Sequence, residues 1–214
     1  MVFGKIEYLN LLPFHLFMKR FFSYSPYKMG MEYYKNVPSV INKKFALKKV
    51  DGAFISSITA KRCHKPKLGI IAKKEVQSVL VIPLGVSKKD KASATSNKLA
   101  EVLGVQGEVL IGDRALLYYL ANKPAVDLAK LWYEKYALPF VFATLCFHKK
   151  NMLSEKIERQ FIRYRAKIPQ YILQKAAAKT GVPKKAVLEY LELISYEMEY
   201  KSHKSLKKFL TKAK

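Results

Sequence analysis

One pattern recurs along this chain and limits what it can fold into: an apolar run, a polar residue closing it, then a helical stretch. Its first occurrence is Gly4-Lys5-Ile6-Glu7-Tyr8-Leu9-Asn10-Leu11-Leu12-Pro13. The run stops at Asn10. Pro13 suits a first helical turn, where its missing N–H has no partner to lose. Phe14, Phe17, Met18 and Phe21 then follow at helical spacing. The second occurrence is Val50 through Ser57, whose apolar run ends in two hydroxyls. The third is Glu108-Val109-Leu110-Ile111-Gly112-Asp113, followed by a helix from Arg114 to Leu120. Strand, turn and helix in succession define an α/β protein. In such sheets, ligands lie beyond the carboxyl ends of the strands.

The strand ends therefore supply the candidate site residues. Asn10 either caps its helix and closes the turn, or offers an uncharged donor and acceptor to an oxygen-rich ligand. Ser56 and Ser57 either cap a following helix or bind a ligand through hydroxyls and neighbouring N–H groups. Gly112 permits close backbone approach, and Asp113 caps the next helix or lines the cleft. A further stretch, Ala92-Ser93-Ala94-Thr95-Ser96-Asn97, leads into Leu99, Ala100, Val102 and Leu103. An ordinary cap needs one hydroxyl, but Ser93, Thr95 and Ser96 crowd this helix start. Donors there, with the positive end of the helix dipole, favour an anion such as a carboxylate. No GxxxxGK[ST] or GxGxxG motif occurs, so a nucleotide phosphate is not indicated.

The remaining elements suggest two lobes. Ser23 to Tyr27 reads as a loop and Met29 to Lys35 as extended. Val37-Pro38-Ser39 opens a helix. Leu68 to Ala72 and Ser78 to Ile82 are strands, and the polar piece Gly85 to Lys91 marks a change of lobe. Asp127 to Tyr136 is a short amphipathic helix. Leu138 to Phe147 is a long apolar strand, expected to return to the first lobe and pair with Ser78–Ile82 as a hinge. Residues 1–82 with 146–214 then form the first lobe and 83–145 the second, with a ligand cleft between them. From Asn151 onward the pattern is helical, with one face through Val187, Leu188, Leu191 and Ile194, and a basic terminal helix from Ser202.

Charge and cysteine content bound the function. Lys and Arg number 40 against 16 Asp and Glu, a formal charge of +24. Such an excess attracts nucleic acid, anionic lipid or small polycarboxylates. The lysines are spread along the chain, which marks a solvated surface rather than a nucleic-acid face. Ala176 to Leu193 has helix-turn-helix spacing with a glycine in its turn, a pattern shared by ordinary helical hairpins. Cys63 and Cys146 lie far apart with no CxxC or metal spacing, so they are expected as separate reduced thiols and no metal site is indicated. No apolar run reaches the roughly 18 residues of a membrane span. The N-terminus has no leader pattern, so a cytoplasmic protein is expected. No histidine stands where a catalytic base is needed; His15 lies one turn into the first helix.

Together, several of these stretches resemble the chorismate dehydratases of the futalosine route to menaquinone. The resemblance is carried by Tyr8-Leu9-Asn10-Leu11-Leu12-Pro13, Asp51 through Ser57, Ser78-Val79-Leu80, Ala92-Ser93-Ala94-Thr95-Ser96, Leu110-Ile111-Gly112-Asp113-Arg114-Ala115-Leu116 and Leu138-Pro139-Phe140-Val141-Phe142-Ala143, in that order. Lys167-Ile168-Pro169 and the lysine-rich helical end resemble the shorter ε-proteobacterial form, and the second lobe is trimmed relative to the family. The resemblance implies a two-lobed fold like the type II periplasmic solute-binding proteins. It implies loss of water from chorismate, a dianion, to give 3-[(1-carboxyvinyl)oxy]benzoate, without cofactor or metal. It places Asn10 and Ser78 beside the reacting ring, Ser56, Ser57, Ser93, Thr95 and Ser96 at the carboxylates, and Gly112 and Asp113 along the cleft. A non-catalytic acid sensor of the same fold is the alternative, with nucleic-acid binding by the basic C-terminal helices behind it.

Overall fold

The computed structural model describes residues 1–23, 32–60, 63–83, 86–164 and 167–214. The expected loop at 24–27, the first residues of the extended segment from Met29, and Gly85 of the polar piece lie outside them. The chain runs β1 (Val2–Lys5), a 3-10 turn (Leu9–Leu11), α1 (Leu12–Ser23), β2 (Glu32–Lys35), α2 (Pro38–Ala46), β3 (Gly52–Ser56), β4 (Leu68–Ala72) and β5 (Val79–Ile82). It continues through α3 (Ala94–Leu103), β6 (Glu108–Ile111), α4 (Gly112–Leu120), β7 (Val126–Asp127), α5 (Leu128–Tyr136) and β8 (Phe140–Phe147). The C-terminal part is α6 (Met152–Arg163), α7 (Gln170–Thr180), α8 (Lys184–Glu192), β9 (Ile194–Glu197) and α9 (Tyr200–Lys212).

Two sheets result. The larger has strand order β2-β1-β3-β8-β4-β9 and the smaller β6-β5-β7. Every residue of β3 and β4 is buried, as befits strands covered on both faces. Phe14 of α1 packs edge-on against Phe54 of β3, with ring centroids 4.9 Å apart, and against Phe161 of α6 at 5.0 Å.

Two expectations about pairing are corrected. β8 does not pair with Ser78–Ile82. It lies antiparallel between β3 and β4, with Ala53 opposite Cys146 and Ile70 opposite Ala143. β5 instead forms the centre of the small sheet, with Val79 opposite Ile111 and Leu80 opposite Asp127. An uninterrupted apolar run predicts burial but not the identity of its neighbours. Likewise, Ile194 does not continue the face of α8: it opens β9, antiparallel to β4. Only 73–78 and 137–139 link the sheets between β4 and β8, so the small sheet is an excursion from the large one.

Asp127 secures that excursion. Its carboxylate accepts from Val76 N–H and Gln77 N–H on the outgoing link at 2.9 and 2.6 Å, and from Ala129 and Lys130 N–H at the start of α5 at 2.9 and 3.1 Å. On the return side, Trp132 of α5 is fully buried and donates its indole N–H to Ser205 of α9 over 3.0 Å. The cysteines are also not separate: Cys63 and Cys146 form a disulfide. His64 pairs with Phe147 across a β-bridge, which brings the preceding cysteine alongside β8.

Candidate active site

The carboxyl ends of the strands meet the small sheet at a narrow cleft. Its walls include Ile6, Tyr8, Asn10, Phe54, Ser56, Ser78, Ser93, Ser96, Gly112 and Phe142. Six of the expected site residues thus converge: Asn10, Ser56, Ser78, Ser93, Ser96 and Gly112. The cavity measures about 60 Å³, well under the ~150 Å³ that accommodates benzene in an apolar core. A substituted ring therefore needs the sheets to part before it can bind.

Ser57, Thr95 and Asp113 are not on this lining. Ser57 donates its hydroxyl to Val141 O over 2.7 Å and its N–H to Phe142 O, holding the end of β3 to β8. Among the described residues no helix follows it before β4; Thr59 and Ala60 close a turn on Ser56 O. Thr95 Oγ1 accepts from Ile58 N–H at 3.4 Å, reaching from α3 toward the large sheet. Asp113 lies in the first turn of α4, behind an N-cap at Ile111 that has no side-chain hydrogen bond. Its Oδ1 accepts from Leu9 N–H at 3.0 Å. Burial pushes the Asp113 carboxyl up, and the Leu9 bond opposes that.

The donor groups are ordered by local capping. Ser93 is the N-cap of α3 and accepts from Ser96 N–H at 3.2 Å. It also donates its own hydroxyl to Ser96 Oγ at 2.8 Å, which leaves the Ser96 proton for another acceptor. α4 starts at the cleft with no capping side chain. Its Gly112 N–H is spent on Ser78 O at 2.8 Å, so the donors it offers are the N–H groups that follow in the same turn. Ser56 Oγ accepts from Asn42 Nδ2 at 2.7 Å, and Asn42 Oδ1 accepts from Ser56 N–H. The Ser56 proton is likewise unspent by that contact. Among the described residues, no Lys, Arg, Asp or Glu lines the cleft. An anion held here would rest on hydroxyls, amides and helix dipoles.

The floor of the cleft is polar and buried. Asn10 Oδ1 is buried with no hydrogen-bond partner. Buried polar atoms are normally paired, so such an acceptor points to a ligand donor. Ser78 is 2% exposed, and its Oγ lies 2.9 Å from the Tyr190 hydroxyl of α8. Tyr196 of β9 donates to Asn10 O over 2.6 Å. Burial pushes both phenols well above their ordinary range. Tyr8 also lines the cleft, its phenol pushed up to about 12 by burial and then by the charges of Asp90 and Asp113. All three phenols are neutral hydrogen-bonding groups at ordinary pH. Sequence reading missed them, although Tyr8 sits two positions from Asn10. Tyr190 and Tyr196 lie in a segment whose apolar spacing pointed only to packing.

His15 is not a base for this site. Its Nε2–H donates to Ile6 O over 2.8 Å, and burial lowers its pKa to about 4. Among the described residues, no three His, Cys, Asp or Glu side chains gather to hold a metal ion, and no helix is long and apolar enough to cross a membrane.

A sequence profile described as menaquinone biosynthesis matches residues 94–214. A Campylobacter jejuni protein named chorismate dehydratase is 43% identical over 100% of this chain and 98% of its own length. The chain belongs to the chorismate dehydratase family of menaquinone biosynthesis. Solved structures agree on the architecture at much lower identity. An Archaeoglobus fulgidus protein superimposes with a TM-score of 0.72 at 14% identity, covering 99% of this chain and 96% of that one. A Candida albicans gene product, described as having the generic periplasmic binding protein fold, gives 0.58 at 10% identity, covering 100% of this chain and 89% of that one. The fold is therefore the two-lobed α/β arrangement of binding proteins, with Asn10, Ser56 and Gly112 at the junction of its sheets.

Proposed function

We propose that this chain is a hydro-lyase that converts chorismate to 3-[(1-carboxyvinyl)oxy]benzoate and water, an early step of menaquinone synthesis by the futalosine route in the cytoplasm. The observation that carries the reading is the whole-chain similarity to a protein named chorismate dehydratase. The cleft supports it: a donor-rich, charge-free lining with one unpaired acceptor at its floor suits a ring alcohol that bears carboxylates.

The chemistry asks for positioning more than for a strong catalyst. The proton on the ether-bearing ring carbon is vinylogously acidic, because the ring carboxylate lies across a double bond. Its removal and loss of the adjacent hydroxyl create an aromatic ring. In the proposed arrangement Asn10 and Ser78 hold the departing hydroxyl. Ser56, Ser93 and Ser96, with the first turns of α3 and α4, hold the carboxylates. Asp113 and Thr95 act at one remove, by tying the small sheet to the large one as the lobes close. Closure excludes water and fixes the ring against its donors.

The test is direct. Purified protein is mixed with chorismate in chelator-treated buffer, and loss of the diene absorbance is followed with the product mass. A product lighter by one water, formed at enzymic rates, is the expected result. Unchanged chorismate in the presence of folded, chorismate-binding protein would favour a sensor instead. A cytoplasmic location sets the Cys63–Cys146 pair against a reducing thiol pool, and thiol alkylation in freshly lysed cells reads its state.

A further inference from the structure

We propose that Tyr190 is a positioning residue for this dehydration: its hydroxyl dictates which way the Asn10 amide and the Ser78 hydroxyl face, and so sets the hydrogen-bond pattern that the cleft floor presents. The assignment rests on the dehydratase reading above. Tyr190 does not line the cleft. It reaches the floor from behind, from α8, and is 2% exposed. Two polar side chains meet its hydroxyl: Ser78 Oγ at 2.9 Å, and the Asn10 amide.

The direction of the chain follows from counting protons. A tyrosine hydroxyl has one proton to donate and lone pairs to accept with. Asn10 has a carbonyl oxygen and an NH₂ group, and the oxygen has no partner. The NH₂ is therefore the group directed at Tyr190, which accepts from it. The Tyr190 proton is then free for Ser78 Oγ. Ser78, having accepted, must send its own proton elsewhere, and the cleft is the open direction. Tyr196 fixes the Asn10 backbone through its 2.6 Å bond to the carbonyl, so the amide swings about a held base.

The result is a matched pair on the floor: an acceptor, Asn10 Oδ1, and a donor, the Ser78 hydroxyl. A ring alcohol fits both, donating to the first and accepting from the second. As its carbon–oxygen bond lengthens and charge gathers on oxygen, the Ser78 donor is already aimed at it. Without the Tyr190 hydroxyl, the Asn10 amide is free to turn and the Ser78 proton is free to point away.

Tyr190→Phe tests this, measured beside the wild type, Ser78→Ala and the double variant. Thermal melting and circular dichroism report the folded fraction. The expected result for Y190F is a kcat about 30-fold lower with KM within threefold, short of the roughly 10²–10³ lost when a transition-state donor is removed, because the Ser78 hydroxyl is misaimed and not absent. The double variant should lose little more than S78A alone, because both act through one chain. Y190F with wild-type kcat, a loss that tracks only the folded fraction, or fully additive losses would overturn the assignment. S78A with wild-type kcat would also overturn it, whether or not Y190F folds. A wild-type protein that leaves chorismate intact would remove the dehydratase reading and this assignment with it. Activity in the wild type with an unaffected Y190F would remove only the role of Tyr190.

Discussion

Leu9 and Asp113 are 104 positions apart in sequence, yet the Leu9 N–H donates to Asp113 Oδ1 over 3.0 Å. This bond joins the turn after β1 to the first turn of α4, and so holds the small sheet against the large one. Asp113→Ala should raise KM for chorismate about tenfold and leave kcat within threefold, a loss typical of one charge-assisted bond. Asp113→Asn keeps an acceptor and should stay close to wild type. Steady-state kinetics of both decide it. If the asparagine variant loses turnover while still binding, Asp113 is instead the base.

Asn10→Asp is nearly isosteric but places a carboxylate where the lining carries no charge. It should fold normally and lose at least about a hundredfold in kcat/KM, because a buried unpaired charge faces a dianion. Full turnover by this variant would remove Asn10 from the site.

Gly112 has φ +69, and a Cβ there would stand 2.9 Å from Tyr8 Cε1. Gly112→Ala should cost about 1–3 kcal/mol and weaken substrate binding by displacing the Tyr8 ring. Melting temperature and KM together measure this; an alanine variant unchanged in both would mean that Tyr8 yields freely.

His15 gives the stability a pH dependence of known sign. Its folded pKa is lowered to about 4 from an ordinary 6.5 by burial. The unfolded chain therefore takes up this proton first as pH falls. The contribution of neutral His15 is whole above about pH 6.5 and is lost progressively toward about pH 4. His15→Gln, which can still donate to Ile6 O, should flatten the fall in melting temperature across that window.

The sequence revealed what is local. Asn10, Ser56 and Gly112 close apolar runs, and a polar residue at the end of a strand is visible without knowing which strands meet. Ser93 sits at a helix start and does cap α3. Partnership was not visible. Nothing in Phe140–Phe147 says that it lies between β3 and β4, because a strand buried on both faces has the same composition beside any neighbour. Tyr190 was hidden for a related reason: on α8 it follows the apolar spacing of Val187 and Leu191, and only its contact with Ser78, 112 positions away, reveals a polar task. The Cys63–Cys146 pairing spans 83 residues and depends on the same strand order.

The uncharged lining of the cleft separates capture from holding. Among the described residues the charged side chains lie outside it, in groups such as Arg114, 77% exposed beside Asp90, and the lysines around Glu7. That outer field draws a dianion in and weakens as salt screens it. Once the sheets close, fixed dipoles shielded from the solvent do the holding. Added salt should therefore slow how often chorismate is caught and leave almost untouched how fast the captured molecule reacts.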